Sequence, residues 1–224
     1  MNSPTQEAKP SFVEDFFPGY FALVMATGIV SLAMHFEGLP GLPELLLWLN
    51  VIFYVVLWTI TLLRIALFRS ALIADLTHHA RGVTFLTTVA GTSVLGVQFV
   101  ILTPFITRAA GLWVFAVLLW IILIYTFFAA VTIAEPKPSI DVAINGSWLL
   151  VTVSTESLAV LGTLVAQTLG TVPPILFEAL CAYLLGAMFY ILFIALIVYR
   201  WIFLPFFVWS RRSFRPPTGS TWAH

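Results

Sequence analysis

The chain has 224 residues, 61% of them hydrophobic and 9% charged, with ten basic and ten acidic side chains and a formal net charge of zero. A soluble globular domain carries about 25% charged residues, so this composition excludes an ordinary soluble fold, and the zero net charge argues against nucleic acid or acidic macromolecules as partners. Cys181 is the only cysteine, which excludes an intrachain disulfide framework or a cysteine-based metal centre.

Residues 1–15 are polar and slightly acidic, without the basic start of a secretory signal, and are expected to remain as an N-terminal segment. Crossing a hydrocarbon core takes about 20 apolar residues in a helix. Six segments qualify in chain order: 16–36, 45–68, 83–106, 112–134, 148–169 and 175–203. Turn residues separate several of them, at Gly38-Leu-Pro-Gly-Leu-Pro43, Pro136-Lys-Pro138 and Gly170-Thr-Val-Pro-Pro174. The connections leave no room for a soluble domain. One six-helix transmembrane domain is expected over residues 16–205, followed by a basic tail over 206–224.

The basic residues give the orientation. With the N-terminus inside, Lys9, Arg64, Arg69, Arg81, Lys137, Arg200, Arg211, Arg212 and Arg215 all fall on the cytoplasmic side, and only Arg108 falls outside. The positive-inside bias therefore predicts an inner (plasma) membrane protein with both termini in the cytoplasm.

The spans alternate in character. The second, fourth and sixth are bulky and suited to lipid, as in Leu45-Leu-Leu-Trp-Leu-Asn-Val-Ile-Phe-Tyr54 and Leu118-Leu-Trp-Ile-Ile-Leu-Ile-Tyr125. The first, third and fifth concentrate small and hydroxylated residues at mid-depth: Met25-Ala-Thr-Gly28, Thr87-Thr-Val-Ala-Gly-Thr-Ser93 and Val151-Thr-Val-Ser-Thr-Glu-Ser157. An offset of 64 residues aligns the three, pairing Gly28, Thr92 and Glu156. This predicts an all-α membrane protein of three helical hairpins, odd helices inside and even helices outside, an internal repeat of the kind used to build transporters. Small residues in one membrane helix ordinarily mean close packing. Their recurrence in all three odd helices points to a polar interior.

Phe16-Phe-Pro-Gly-Tyr-Phe-Ala-Leu-Val-Met-Ala-Thr-Gly-Ile-Val-Ser31 resembles the first helix of the tellurite-resistance and dicarboxylate transporter family, which includes TehA-like proteins and the plant slow-type anion channels. Asn145-Gly-Ser-Trp-Leu-Leu-Val-Thr-Val-Ser154 is similar to that family's fifth helix, and Tyr199-Arg-Trp-Ile-Phe203 to the close of its sixth. The resemblance implies part of a ten-helix fold whose odd helices surround an anion path. This sequence matches the first six of those helices, so nothing in it is expected to take the role of the gating phenylalanine on the family's ninth. A functional short form, part of an assembly and a truncated, non-conducting scaffold are all compatible with that match.

On this resemblance the candidate pore or substrate-binding residues are Thr27 and Gly28 of the first helix, Thr88, Thr92, Ser93 and Gln98 of the third, and Thr152, Ser154, Thr155, Glu156 and Ser157 of the fifth. Hydroxyl and amide donors bind a dehydrated anion without trapping it as a fixed cation would. Glu156 stands out because a carboxylate at mid-membrane costs at least about 2.5–3.5 kcal/mol and is retained for a reason. His78 and His79 are adjacent and point to different sides of any helix, so a basic loop is expected there rather than a metal site, and His35 reads as interfacial. Arg64 is placed to snorkel to the cytoplasmic surface, and Glu178 to sit in the first turn of the sixth helix after Pro173-Pro174. No nucleophile–base set lies at bilayer depth, so neither an enzyme nor a cofactor is expected.

The sequence therefore predicts transport of small anions (dicarboxylate, monocarboxylate or an inorganic oxyanion such as tellurite) by a channel or secondary carrier. The expected partners are the bilayer, the anion, and either a second copy of the chain or another chain of the family.

Overall fold

The computed structural model describes residues 12–204. The tail expected over 206–224, and most of the N-terminal segment, lie outside the described residues. Six helices among those described are long and apolar enough to cross a membrane: Pro18–Phe36, Leu42–Leu67, Gly82–Leu102, Ile106–Ile133, Gly146–Thr168 and Pro173–Phe203. They match the expected spans to within six residues; the largest differences are that the third ends at Leu102 rather than 106 and the fourth begins at Ile106 rather than 112. In chain order the α-helices are α1 (Ala22–Phe36), α2 (Leu42–Leu67), α3 (Arg69–Thr77), α4 (Leu86–Leu102), α5 (Ile106–Ile133), α6 (Ile140–Ala143), α7 (Leu149–Thr168) and α8 (Pro173–Phe203).

The repeat is visible in how the inner helices begin. Each of α1, α4 and α7 is entered through a 3-10 turn, starting at Pro18, Gly82 and Gly146 at the interval read from the sequence. The third turn gives way to α-helix one residue earlier, so α7 starts at Leu149. The local causes are legible. Pro18 needs no amide partner at the start of the first turn. In the third, Asn145 Oδ1 accepts from the Ser147 backbone N–H at 2.9 Å, and the Trp148 indole N–H donates to Ala143 O at 2.9 Å. Both α1 and α7 close with a left-handed glycine. Gly38 (φ 73°) and Gly170 (φ 90°) lead into bonds from Leu39 N to Met34 O and from Thr171 N to Ala166 O, a Schellman closure that satisfies the last carbonyls.

Three hairpins, α1–α2, α4–α5 and α7–α8, pack in a row with α4 in the middle. Helix α4 touches α1 on one side and α7 on the other, with α2 and α5 behind it. From Leu86 to Phe99 every residue of α4 is buried except Val94, which is partly so. Outer helices instead expose their apolar side chains, such as Leu45, Ile52, Ile122 and Ile191, to the lipid side. The odd-inside, even-outside order thus follows from composition: small residues let α4 be enclosed, and bulky ones suit lipid.

Two aromatic clusters lock the hairpins together. Phe21, Tyr54, Trp58 and Phe115 join α1, α2 and α5. Trp148 meets Phe127 and Phe193 at centroid distances of 5.3 and 5.4 Å, joining α5, α7 and α8.

The basic end of the bundle differs from expectation. Arg64 does not snorkel; it is 2% exposed. Short helix α3 folds back beneath α2 and brings Asp75 to within 2.6 Å of the Arg64 guanidinium, which also donates to Phe16 O at 2.9 Å. Arg81 closes on the other Asp75 oxygen at 3.1 Å. A buried charge of this kind is tolerated only when paired. Glu178 also departs from expectation: α8 begins at Pro173, which places this half-buried residue in the second turn rather than the first.

Candidate functional site

The hydroxyls on the inner helices are mostly turned back on their own backbone. Thr88 donates to Phe85 O, Thr92 to Thr88 O, Ser154 and Thr155 to Val151 O, and Ser157 to Ser154 O, over 2.6–3.0 Å. Helical hydroxyls satisfy themselves in this way when no better partner is available.

Two of them also receive a bond from an outer helix, in matching fashion. Tyr54 of α2 meets Thr92 at 2.9 Å, and because Thr92 donates to Thr88 O, the phenol is the donor. The Trp120 indole N–H of α5 donates to Thr155 at 3.0 Å. Trp120 lies 66 residues after Tyr54 and Thr155 63 after Thr92, so the two bonds are alike in kind but not at strictly equivalent positions of the repeat. Each of these bonds ties an inner helix to the outer helix of the preceding hairpin.

Gly28 and Gln98 come together where α1, α2 and α4 cross. Asn50 of α2 donates to Gln98 Oε1 at 2.6 Å and to Val24 O at 3.0 Å. A Cβ on Gly28 would run into the Val94 side chain of α4 and would also lie 3.2 Å from both amide side chains, so glycine permits the close approach of α1 to α4 beside this pair. Thr27, its neighbour in sequence, is partly exposed. Three candidate donors keep buried polar atoms with no partner among the described residues: Ser93 Oγ, Gln98 Nε2 and Thr152 Oγ1.

Glu156 sits apart from this group. It is partly exposed and lies over Gly186 of α8, where a Cβ would meet Glu156 Oε1 at 2.5 Å. It lines a groove of about 550 Å³ whose walls all come from α7 and α8, including Val160, Thr163, Gln167 and Tyr183. The equivalent grooves of the first two hairpins are filled: α4 packs against α1 and α2, and α7 against α4 and α5. Among the described residues no inner helix fills the third.

Reading the residues in sequence missed Asn50, Tyr54, Trp120 and Asp75. A polar Asn within a lipid-suited span was the available signal for the first; the aromatic donors resemble any interfacial Tyr or Trp. The histidine pair forms a loop as expected, with His78 Nδ1 accepting from the backbone N–H of Ala80 and Arg81 at 3.2 and 3.3 Å. Among the described residues no group of three or more His, Cys, Asp or Glu converges.

A sequence profile of the voltage-dependent anion channel family matches residues 15–215, which is nearly the whole chain. The chain belongs to the voltage-dependent anion channel family. Comparisons with curated proteins and with solved structures return no match. Membership accounts for six apolar helices in paired arrangement and gives the molecule an anion-transporting role in a membrane.

Proposed function

We propose that this chain conducts or carries small anions (mono- or dicarboxylates, or inorganic oxyanions such as tellurite) across the inner membrane, with both termini cytoplasmic. Membership of the anion channel family carries the reading, and it is supported by three inner helices rich in hydroxyl donors beside apolar outer ones. The uncommitted atoms of Ser93, Gln98 and Thr152 are the donors free to meet a dehydrated anion. Purified protein in liposomes, loaded in turn with succinate, lactate, nitrate and tellurite, tests the substrate class. Release of none of the four above protein-free vesicles would end this reading.

Assembly belongs to the same proposal. The α7–α8 groove repeats the position that α4 and α7 fill in the earlier hairpins, and it holds a carboxyl at membrane depth. Lipid is a poor neighbour for such a group. An inner helix from a second copy, or from another chain of the family, completes it. Cross-linking between cysteines placed at Val160 and at Ala26 (both exposed) in native membranes checks this contact.

A second reading is a non-conducting membrane scaffold. It is favoured by one observation, the enclosure of α4 with its hydroxyls bonded to its own carbonyls. The same flux panel separates the two.

A further inference from the structure

At the basic end, away from the inner-helix hydroxyls, lies a second pocket of about 300 Å³. It is framed by the last turn of α5 (Val131, Thr132), the Pro-Lys-Pro segment, α6 and the ring of Trp148. The polar groups on its wall are Lys137, His79 and Thr132. Leaving aside Asp141 and Val142, whose side chains are not described, no carboxylate among the described residues lines it and none pairs with Lys137. The Trp148 indole N–H is already bonded to Ala143 O, so that ring contributes apolar surface.

We propose that this pocket binds one anionic phospholipid, with its phosphate at Lys137 and His79 and the upper part of an acyl chain along Val131, Ile140 and Ile144. Charge complementarity calls for an anion. The mainly apolar wall calls for an amphipathic one, because a small hydrated anion would lose water against Val131, Ile144 and Trp148 without gaining contacts. Its position agrees, since Ile133 of the same α5 turn is an apolar side chain 78% exposed beside the pocket's wall. Basic pockets between membrane helices recognise lipid headgroups by this division of labour. The bound lipid would clamp the end of α5 to the start of α7, a junction otherwise held by Trp148 between Phe127 and Phe193.

Native mass spectrometry of the detergent-solubilised chain, titrated with phosphatidylglycerol or phosphatidylcholine, tests this. One phosphatidylglycerol is expected to persist on the wild-type chain, and phosphatidylcholine to be lost. Lys137→Gln should weaken retention roughly fivefold, as removal of one interfacial cation does, and Lys137→Arg should restore it. Ile140→Trp, which leaves the charge intact and fills the apolar wall, should also expel the lipid. Arg108→Gln at the opposite end serves as the control and should change nothing. The proposal is overturned by equal retention of the two lipids, by equal loss with Arg108→Gln, or by displacement with millimolar succinate or inorganic phosphate, which would make this a site for soluble anions.

Discussion

Removing Asp75 is the perturbation that most directly probes how the basic end is held. Arg64 is 2% exposed, and its guanidinium has two bonds, one to Asp75 at 2.6 Å and one to Phe16 O at 2.9 Å. Asp75→Asn leaves that cation buried with only a carbonyl and an amide. Breaking a buried pair from one side costs about 3–5 kcal/mol, because the remaining charge is uncompensated. The second cation, Arg81, contributes little, since its side chain is 39% exposed and an exposed pair contributes about 0–1 kcal/mol. Asp75→Asn is therefore expected to destabilise by about 3 kcal/mol, and Arg81→Gln by under about 1 kcal/mol. Replacing both buried partners, as Arg64→Met with Asp75→Leu, should recover most of the loss, since an apolar pair removes the desolvation penalty on both sides. Denaturant titration of the detergent-solubilised protein, followed by tryptophan fluorescence, reads all of these. If Asp75→Asn costs less than about 1 kcal/mol, Arg64 is not held as described and reaches water by another route.

Further outcomes are expected elsewhere in the bundle. Gly82→Ala should destabilise by about 1–3 kcal/mol in the same titration, because the new Cβ would press on the Leu76 backbone carbonyl, which cannot swing aside. Tyr54→Phe and Trp120→Phe should each cost about 0.5–1.5 kcal/mol through the lost bonds to Thr92 and Thr155; a larger loss for Trp120→Phe also reports its smaller ring. Asn50→Leu leaves Gln98 buried without its donor and should cost about 1–3 kcal/mol, whereas Asn50→Leu combined with Gln98→Leu should cost less than the single change. Gly186→Leu should drive Glu156 out of its seat over α8 and reduce Val160–Ala26 cross-linking several-fold, and unchanged cross-linking would place the interface elsewhere.

The span positions and the inside–outside order were legible because both depend on local composition. A helix of small residues such as Ala90, Gly91 and Gly96 can be enclosed, and one carrying Leu45, Ile52 and Val55 suits lipid. The repeat was legible too, and its interval of 64 residues recurs in the starts of the three 3-10 turns. Arg64 and Asp75 are joined by a fold-back through α3, which no hydropathy window sees. Leu72 and Leu76, which pack α3 against the core, were the periodic signal for that helix within a segment read as a basic loop. Hydroxyl direction was not legible at all. Thr88 and Thr92 carry the same chemistry whether they face an anion or their own carbonyls, and only the packing decides between them.

Ion selectivity of flux is the most direct test of the central claim. Proteoliposomes containing only this chain, loaded with sodium succinate and voltage-clamped with a potassium ionophore, are assayed for release of succinate and of sodium. An anion-transporting member of this family should release succinate, or nitrate substituted for it, well above protein-free vesicles while retaining sodium. Release of both ions together, or of no anion when lactate and tellurite are also substituted, would contradict the account.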